Sequence, residues 1–448
     1  MVFGSCSITY AAMLENSVAL VLPFLLSGIV GWLLCRSIFG GKSLEEQRAF
    51  LWIYSLYLIA LGVARTSAVI YLDEIQIDSD AQSFFEIASL PNLDLESEEI
   101  AAMINGWGAV RVWALFYALF EGVSEAPSQL VGISVNCLAM ALAGGVTVNC
   151  LRVLVPGSSA ARVRAMRLWG SCFLFWLLAT IHLRDSFCLL VVSILINVWL
   201  RALATERTAW MGTAILASVV GQWVLSTFRA ESGSIAFIML AIGLVARYVL
   251  RGGKAGFVLA FGLGIAIIGL YEVIIVKLLG AVDMLRFVKE GYSSMADEAS
   301  LGNRLVVSAA APLRLLLGWG YVHVFPIPIW QGFTTSSAYY WFKSAQVVSM
   351  CFLLPATVAG VWYGMREVGR LRAAMFFLTL VYGIITSAVV MSSLETRHHG
   401  QVLPLAIIVA AVAAGSPNVS KLESRLRAWA WVVLVAIHVL WFAMKISK

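Results

Sequence analysis

Residues 130–150 read LVGISVNCLAMALAGGVTVNC, a run without a charged side chain, and Arg152 follows at once. A helix needs about 20 apolar residues to cross the hydrocarbon core of a bilayer. The run therefore reads as a membrane span, and Arg152, Arg162, Arg164 and Arg167 mark the loop at its end. Similar apolar runs occur at 17–35, 50–72, 168–183, 186–200, 209–228, 234–250, 255–276, 343–363, 373–392, 401–415 and 428–444. The expected fold is all-α: a polytopic integral membrane protein of about 12 transmembrane helices, with a range of about 11–13. Short neighbours such as 168–183 and 186–200 are expected to turn within one interface.

Composition excludes the alternatives. The 448 residues are 61% hydrophobic and 12% charged, whereas a soluble domain carries about 25% charged residues. Mean hydropathy is +0.89. A set of soluble domains, a disordered chain, a collagen-like repeat and a small disulfide scaffold are all ruled out. The net charge of +6 belongs to loop topology and anionic lipid, and no nucleic-acid partner is expected. Seven cysteines without a C-x-x-C pair read as small apolar side chains. Glu15 is the one charged residue among the first 16, so the basic start of a cleavable signal peptide is not expected there.

Charge distribution gives sidedness. Arg36, Lys42 and Arg48; Arg152, Arg162, Arg164 and Arg167; Arg201 and Arg207; Arg247, Arg251 and Lys254; Arg366, Arg370 and Arg372; and Lys421, Arg425 and Arg427 fall in alternate loops. These are 18 of the 31 basic residues, and the positive-inside rule makes the loops cytoplasmic. The N-terminus and the segments 73–129 and 277–342 are then outside. Residues 1–448 read as one membrane domain with these two large outer loops. The first is acidic, with Asp73, Glu74, Asp78, Asp80, Glu86, Asp94, Glu96, Glu98 and Glu99 and no Lys or Arg between Arg65 and Arg111. Within it, 106–122 (GWGAVRVWALFYALFEG) is apolar enough to span, but counting it would place the 151–167 arginines outside. A helix lying along the surface fits better, with Trp107, Trp113 and Tyr117 at headgroup level. The stretch 305–325, interrupted by Pro312 and Arg314, is read in the same way.

Ionisable groups at the outer ends of spans are costly unless paired or hydrated, which makes them site candidates. Asp78 and Asp80 offer a general base or a divalent-cation site, against the plainer reading of a solvated acidic loop. Arg184 and Asp185 sit between two short spans beside His182, and a hairpin turn would also tolerate an exposed pair. Arg229 and Glu231 mark a third turn. The run Glu395-Thr396-Arg397-His398-His399 precedes Pro404. Adjacent helical residues diverge by about 100°, so its two histidines do not suit one metal. Arg397 suits a phosphate, which a guanidinium grips with two parallel bonds. His323 and His438 read as packed residues. No P-loop, G-x-S-x-G or H-E-x-x-H occurs, which disfavours ATP-driven transport and a cytoplasmic nucleotide-sugar domain.

Asp80-Ala81-Gln82-Ser83-Phe84-Phe85-Glu86-Ile87-Ala88 resembles the D-E-x-x-Y-x-x-I-A signature of the GT-C glycosyltransferases. These polytopic enzymes are related to the aminoarabinose transferase of lipid A and the protein O-mannosyltransferases. Trp113–Ser124 is similar to their L-L-Y-A-L-F-G-x-S segment, Leu183–Phe187 to a second acidic turn, and Glu395–Pro404 to an arginine-plus-proline segment. Ala81 stands where the family has a second acid, Phe84 where tyrosine is usual and Gln129 where arginine is common. The overall pattern looks like divergent members found with capsule, exopolysaccharide and O-antigen genes, where Wzy-type repeat-unit polymerases also occur.

The resemblance implies a GT-C-like fold, a bacterial inner-membrane location and an active site facing the periplasm. It implies an inverting glycosyl transfer from an undecaprenyl-type lipid-linked donor to a glycan or lipid-linked acceptor. Asp80 and Asp185 would be the catalytic acids. Arg397, Glu395, Arg184 and His398 would bind substrate. The resemblance fixes no cofactor, and a divalent metal at Asp78 and Asp80 is an option. Two other functions fit the same composition: a polymerase of lipid-linked repeat units, and a lipid-linked oligosaccharide flippase or other transporter. A transporter would carry its charges near the midplane, where Arg65 is the main candidate.

Overall fold

The computed structural model describes residues 2–14, 17–39, 44–72, 79–90, 106–123, 127–205, 207–249, 306, 311–325, 328–334, 337–367, 369–392 and 396–446. Its helices are α1 (Val2–Leu14), α2 (Val21–Phe39), α3 (Leu44–Leu72), α4 (Ser79–Ala88), α5 (Trp107–Leu119) and α6 (Gln129–Leu154). There follow α7 (Ser159–Gly170), α8 (Phe173–Thr180), α9 (Asp185–Ala204), α10 (Thr208–Phe228), α11 (Gly233–Val249) and α12 (Ala311–Val324). The last are α13 (Ala338–Arg366), α14 (Arg370–Ser392), α15 (Thr396–His399), α16 (Leu403–Val412) and α17 (Pro417–Ile446). Among the described residues there is no strand, and nine helices are long and apolar enough to cross a membrane. The chain is an all-α protein with the character of a polytopic membrane protein.

Two of the expected spans differ, and a third cannot be compared. The run 255–276, with most of 277–342, lies outside the described residues. The run 168–183 is a broken segment, α7 and then the eight-residue α8. The break is held from inside the protein: Leu174 N donates to Gln346 Oε1 of α13 (2.8 Å), and the Ser349 hydroxyl donates to Ser171 O. Irregular backbone survives at membrane depth only where protein groups satisfy it. The run 401–415 contains a helix of ten residues, α16, every one of them buried. Pro404 stands in its first turn, where a missing N–H costs nothing.

The helix that opened the sequence reading, α6, is the axis of the bundle. Residues 129–151 are all buried, as an all-round apolar helix must be. It packs against α2, α3, α8, α9 and α16. By contrast most of α17 and α10 is not buried, and their exposed side chains, among them Trp223, Trp429, Val432 and Leu440, are of the kind that lipid solvates.

Antiparallel α3 and α6 define two ends. At one, Glu46 is fully buried, pairs with Arg152 and accepts from Asn149 Nδ2 (3.1 Å). Arg201 Nη2 and Asn197 Nδ2 both donate to Asn149 Oδ1, at 2.8 and 3.0 Å. Arg162 pairs with Glu45, and Arg164 and Arg427 both pair with Glu423. Four of the arginine-bearing segments thus gather at one end. At the other end Arg65 Nη2 donates to Gln129 Oε1 (3.3 Å). The 19 residues from Glu46 to Arg65 span about 28 Å of helix, so the two polar layers lie roughly a bilayer core apart.

Close helix contact depends on small residues. A Cβ on Gly360 of α13 would run into the Val409 carbonyl of α16, whereas one on Gly212 of α10 would meet nothing within 4 Å. Gly360→Ala should lower the melting temperature of the purified protein, with overpacking costing about 1–3 kcal/mol. Gly212→Ala, in an open helical position, should be neutral or stabilising by about 0.5–1 kcal/mol. Equal melting curves for the two variants would remove the contact from the account.

Candidate functional site

The end opposite the Glu46 layer collects residues from four separated segments. Asp80, second residue of α4, accepts from Arg397 Nη2 at 2.7 Å across 317 positions of sequence. The Asp80 side chain is half exposed and Arg397 is mostly covered. Asp185 opens α9, where the helix dipole favours a carboxylate. It is buried, and its Oδ1 accepts from Arg229 Nη1 (3.0 Å) and Gln401 Nε2 (3.2 Å). Gln401 Oε1 accepts from the Ser232 hydroxyl (2.9 Å), and Arg229 also touches His398 Nε2 and lies 3.4 Å from Glu231. Asp185 feels the charges of Arg229, Arg397 and Arg184 together.

The partner of Asp185 is therefore Arg229, not its neighbour Arg184. Arg184 turns instead toward α4, its guanidinium 5.3 Å from the Phe84 ring centre. It makes no ion pair among the described residues. Burial and then the nearby Arg229 charge lower its pKa, with Asp185 and Glu231 acting in the opposite direction. Asp78 and Glu395 lie outside the described residues. The Asp80 carboxylate, assigned to a metal option on sequence grounds, is occupied by Arg397. Among the described residues no three His, Cys, Asp or Glu side chains form a metal-binding group.

The turn carrying Arg184 and Asp185 is built from α6. Asn136 Nδ2 donates to Ile181 O (2.6 Å) and Leu183 O (3.1 Å), and Asn136 Oδ1 accepts from Trp113 Nε1 (3.0 Å). Trp113 stacks on His182 with ring centres 3.9 Å apart, and Tyr117 O–H meets His182 Nε2 at 3.2 Å. Trp113 and Tyr117 thus face the bundle. Trp113 is fully buried, because an indole N–H needs a polar partner and Asn136 supplies it. The 13-residue α5 is too short to span.

Sequence reasoning missed Asn136, Gln401 and Ser232, and Arg229 was read without its partner. The usable signal for Asn136 was an uncharged polar residue inside an apolar span, which needs an internal partner. Gln129 is a further case. It links Arg65 to Gln82 of α4, donating through Nε2 to Gln82 Oε1 (3.1 Å), and so anchors the helix that carries Asp80.

Comparison with protein-family models finds no match, and comparison with curated proteins finds no relative.

His182 is buried and neutral, its pKa lowered to about 3 by desolvation and then by the Arg65 charge. A buried neutral histidine favours the folded state above its unfolded pKa of about 6.5 and loses that contribution as pH falls toward the folded value. The melting temperature should therefore decline as pH is lowered from about 6.5 toward 4, with a shallower slope in His182→Gln. Identical slopes in the two proteins would show that His182 does not bear on acid stability.

Proposed function

We propose that the chain is a membrane glycosyltransferase that uses a polyprenyl-phosphate-linked donor during surface polysaccharide assembly, on the periplasmic face of a bacterial inner membrane. The supporting observation is the meeting of Arg397, Arg184 and Asp80 at one end of the bundle, braced by the buried Asp185–Arg229 pair. Guanidinium groups suit a donor phosphate, and a half-exposed carboxylate beside them suits an acceptor hydroxyl.

Chemistry follows from charge. An arriving phosphate competes with Asp80 for Arg397, and Arg184 adds a second positive charge without having to give up a carboxylate. Asp80 released from Arg397 takes the acceptor proton. The acceptor oxygen bonds to the anomeric carbon as the bond from that carbon to the phosphate oxygen breaks. The polyprenyl phosphate leaves carrying the electron pair, and the arginines neutralise its charge. Asp185 touches no substrate in this scheme. It holds Arg229, which in turn abuts His398 beside Arg397. Inversion at the anomeric carbon follows from a single displacement and agrees with the family resemblance.

A transport reading is weaker on geometry. Asp185 opens a 20-residue helix whose other end carries Arg201, so about 24 Å of helix separates the two layers. The charges sit at an end, whereas transporter sites favour the midplane.

In a strain lacking the chromosomal copy, Asp80→Asn should lower transfer by about 10²–10⁴-fold, the usual weight of a general base. Protein level should be unchanged. Arg397→Lys should also lose transfer, since an ammonium lacks the two-pronged grip. Wild-type glycan from Asp80→Asn would sink the mechanism. The glycan length profile separates the substrates: a missing sugar marks a single-sugar transferase, and single capped repeats mark a repeat-unit polymerase.

A further inference from the structure

At the arginine-rich end of the bundle the acids already have partners. Glu46 is held by Arg152, Glu45 by Arg162, and Glu423 by both Arg164 and Arg427. Glu367 takes a hydrogen bond from the Tyr363 hydroxyl. Three cations where α13 meets α17 are left over. Arg366, Lys421 and Arg425 are exposed and make no ion pair among the described residues.

α17 sorts its side chains by face. Lys421, Arg425, Trp429 and Val432 follow one another at intervals of four, four and three, which puts them on one side of a helix. All four are exposed. Glu423 and Arg427 lie on another side, Glu423 buried and Arg427 reaching the Phe352 ring of α13 (5.0 Å from its centre). Leu422 and Leu426 of α17 pack on Ala359, Ala413 and Val419, and Trp362 of α13 packs on the same three residues. Arg366 lies over that Trp362 ring, 3.8 Å from its centre. It therefore stands at the same joint as Lys421 and Arg425.

Along α17 the exposed stripe runs from Arg425 to Trp429 in about 6 Å of helix and on to Val439 in about 21 Å. Cations, then an indole, then aliphatic side chains is the order in which a lipid leaflet presents headgroup, interface and acyl chain. A zwitterionic headgroup brings its own cation into this cluster, where no free acid receives it. A headgroup whose only charge is its phosphate meets no such repulsion.

We propose that the Lys421–Arg425 stripe of α17, with Arg366 beside it, is a binding site for an anionic phospholipid. The phosphate lies among the three cations, and the acyl chains run along Trp429, Val432 and Val439. The bound lipid fastens α17 to α13, the helix against which α17 packs while most of its own length is not buried. The site is at the end opposite Asp80, so it stands whether or not the transferase reading does.

The test needs a probe on this stripe. Cys6 is exposed and the other six cysteines are buried, and Ala428 is exposed between Arg425 and Val432. Full-length Cys6→Ser/Ala428→Cys protein labelled with bimane is reconstituted in phosphatidylcholine vesicles. Dibrominated phosphatidylglycerol is the quencher, with dibrominated phosphatidylcholine as the comparison. Quenching should show phosphatidylglycerol preferred about 25-fold, about fivefold for each of two cations. Lys421→Gln and Arg425→Gln should each lower the preference about fivefold. Both should keep the melting temperature, since neither residue is buried or paired. Arg207→Gln, exposed at the start of α10, should leave the preference unchanged. The proposal is overturned by equal quenching from the two lipids, or by a preference that survives in the Lys421→Gln/Arg425→Gln double variant. An equal loss in Arg207→Gln also overturns it, because that result marks a diffuse field and no site. Millimolar inorganic phosphate should leave the quenching as it is, and displacement of the lipid overturns the proposal in favour of a soluble anion.

Discussion

The buried carboxylate of Asp185 organises one end of this bundle. A charge moved out of water costs several kcal/mol unless it is paired and hydrogen-bonded, at about the level reached by real proteins after relaxation. Asp185 meets that cost with Arg229 and Gln401, which come from two other parts of the chain. The N-terminus of α9, the turn before α11 and the segment leading into α16 are thereby fixed to one another. Ser232 reinforces the joint by bonding Gln401. Removing either charged member would leave the other buried and unpaired, so these segments hold or fail together. Arg397, His398 and Arg184 take their places from that joint.

Polar residues inside apolar helices do the remaining positioning. Asn136 clasps the turn that presents Arg184 and Asp185, and Gln129 fastens α4 through Gln82. Gln346 satisfies the broken start of α8. Each is uncharged, so its burial is less costly than that of an ion, yet each needs a specific partner. That requirement converts loosely specified apolar packing into a defined geometry. At the opposite end Asn149 plays the same part among Glu46, Asn197 and Arg201.

Short helices carry both sides of the site. α8 and α16 are too short to cross a bilayer and are enclosed by longer helices, so their ends lie within protein. Their connecting segments, 181–184 and 396–402, can then depart from helical hydrogen bonding because side chains replace what the backbone lacks. The same arrangement lets residues 396–399 hold Arg397 at Asp80 while His399 is buried.

Apolar run length and charge spacing were enough to establish an α-helical membrane protein, since a bilayer admits few alternatives and a span needs a minimum length. They also singled out Asp80, Arg184, Asp185, Arg229 and Arg397, because ionisable groups are rare in such a chain. Hydropathy could not tell a crossing helix from an enclosed one, as α16 and the α7–α8 break show: both kinds are apolar, and the difference lies in neighbours. Pairing was equally hidden. Sequence adjacency suggested Arg184 with Asp185, but successive residues on a turn point apart, and tertiary packing brought Arg229 to Asp185 across 44 positions and Arg397 to Asp80 across 317. Ion pairs form where burial makes an unpaired charge costly, and burial is set by the assembled helices.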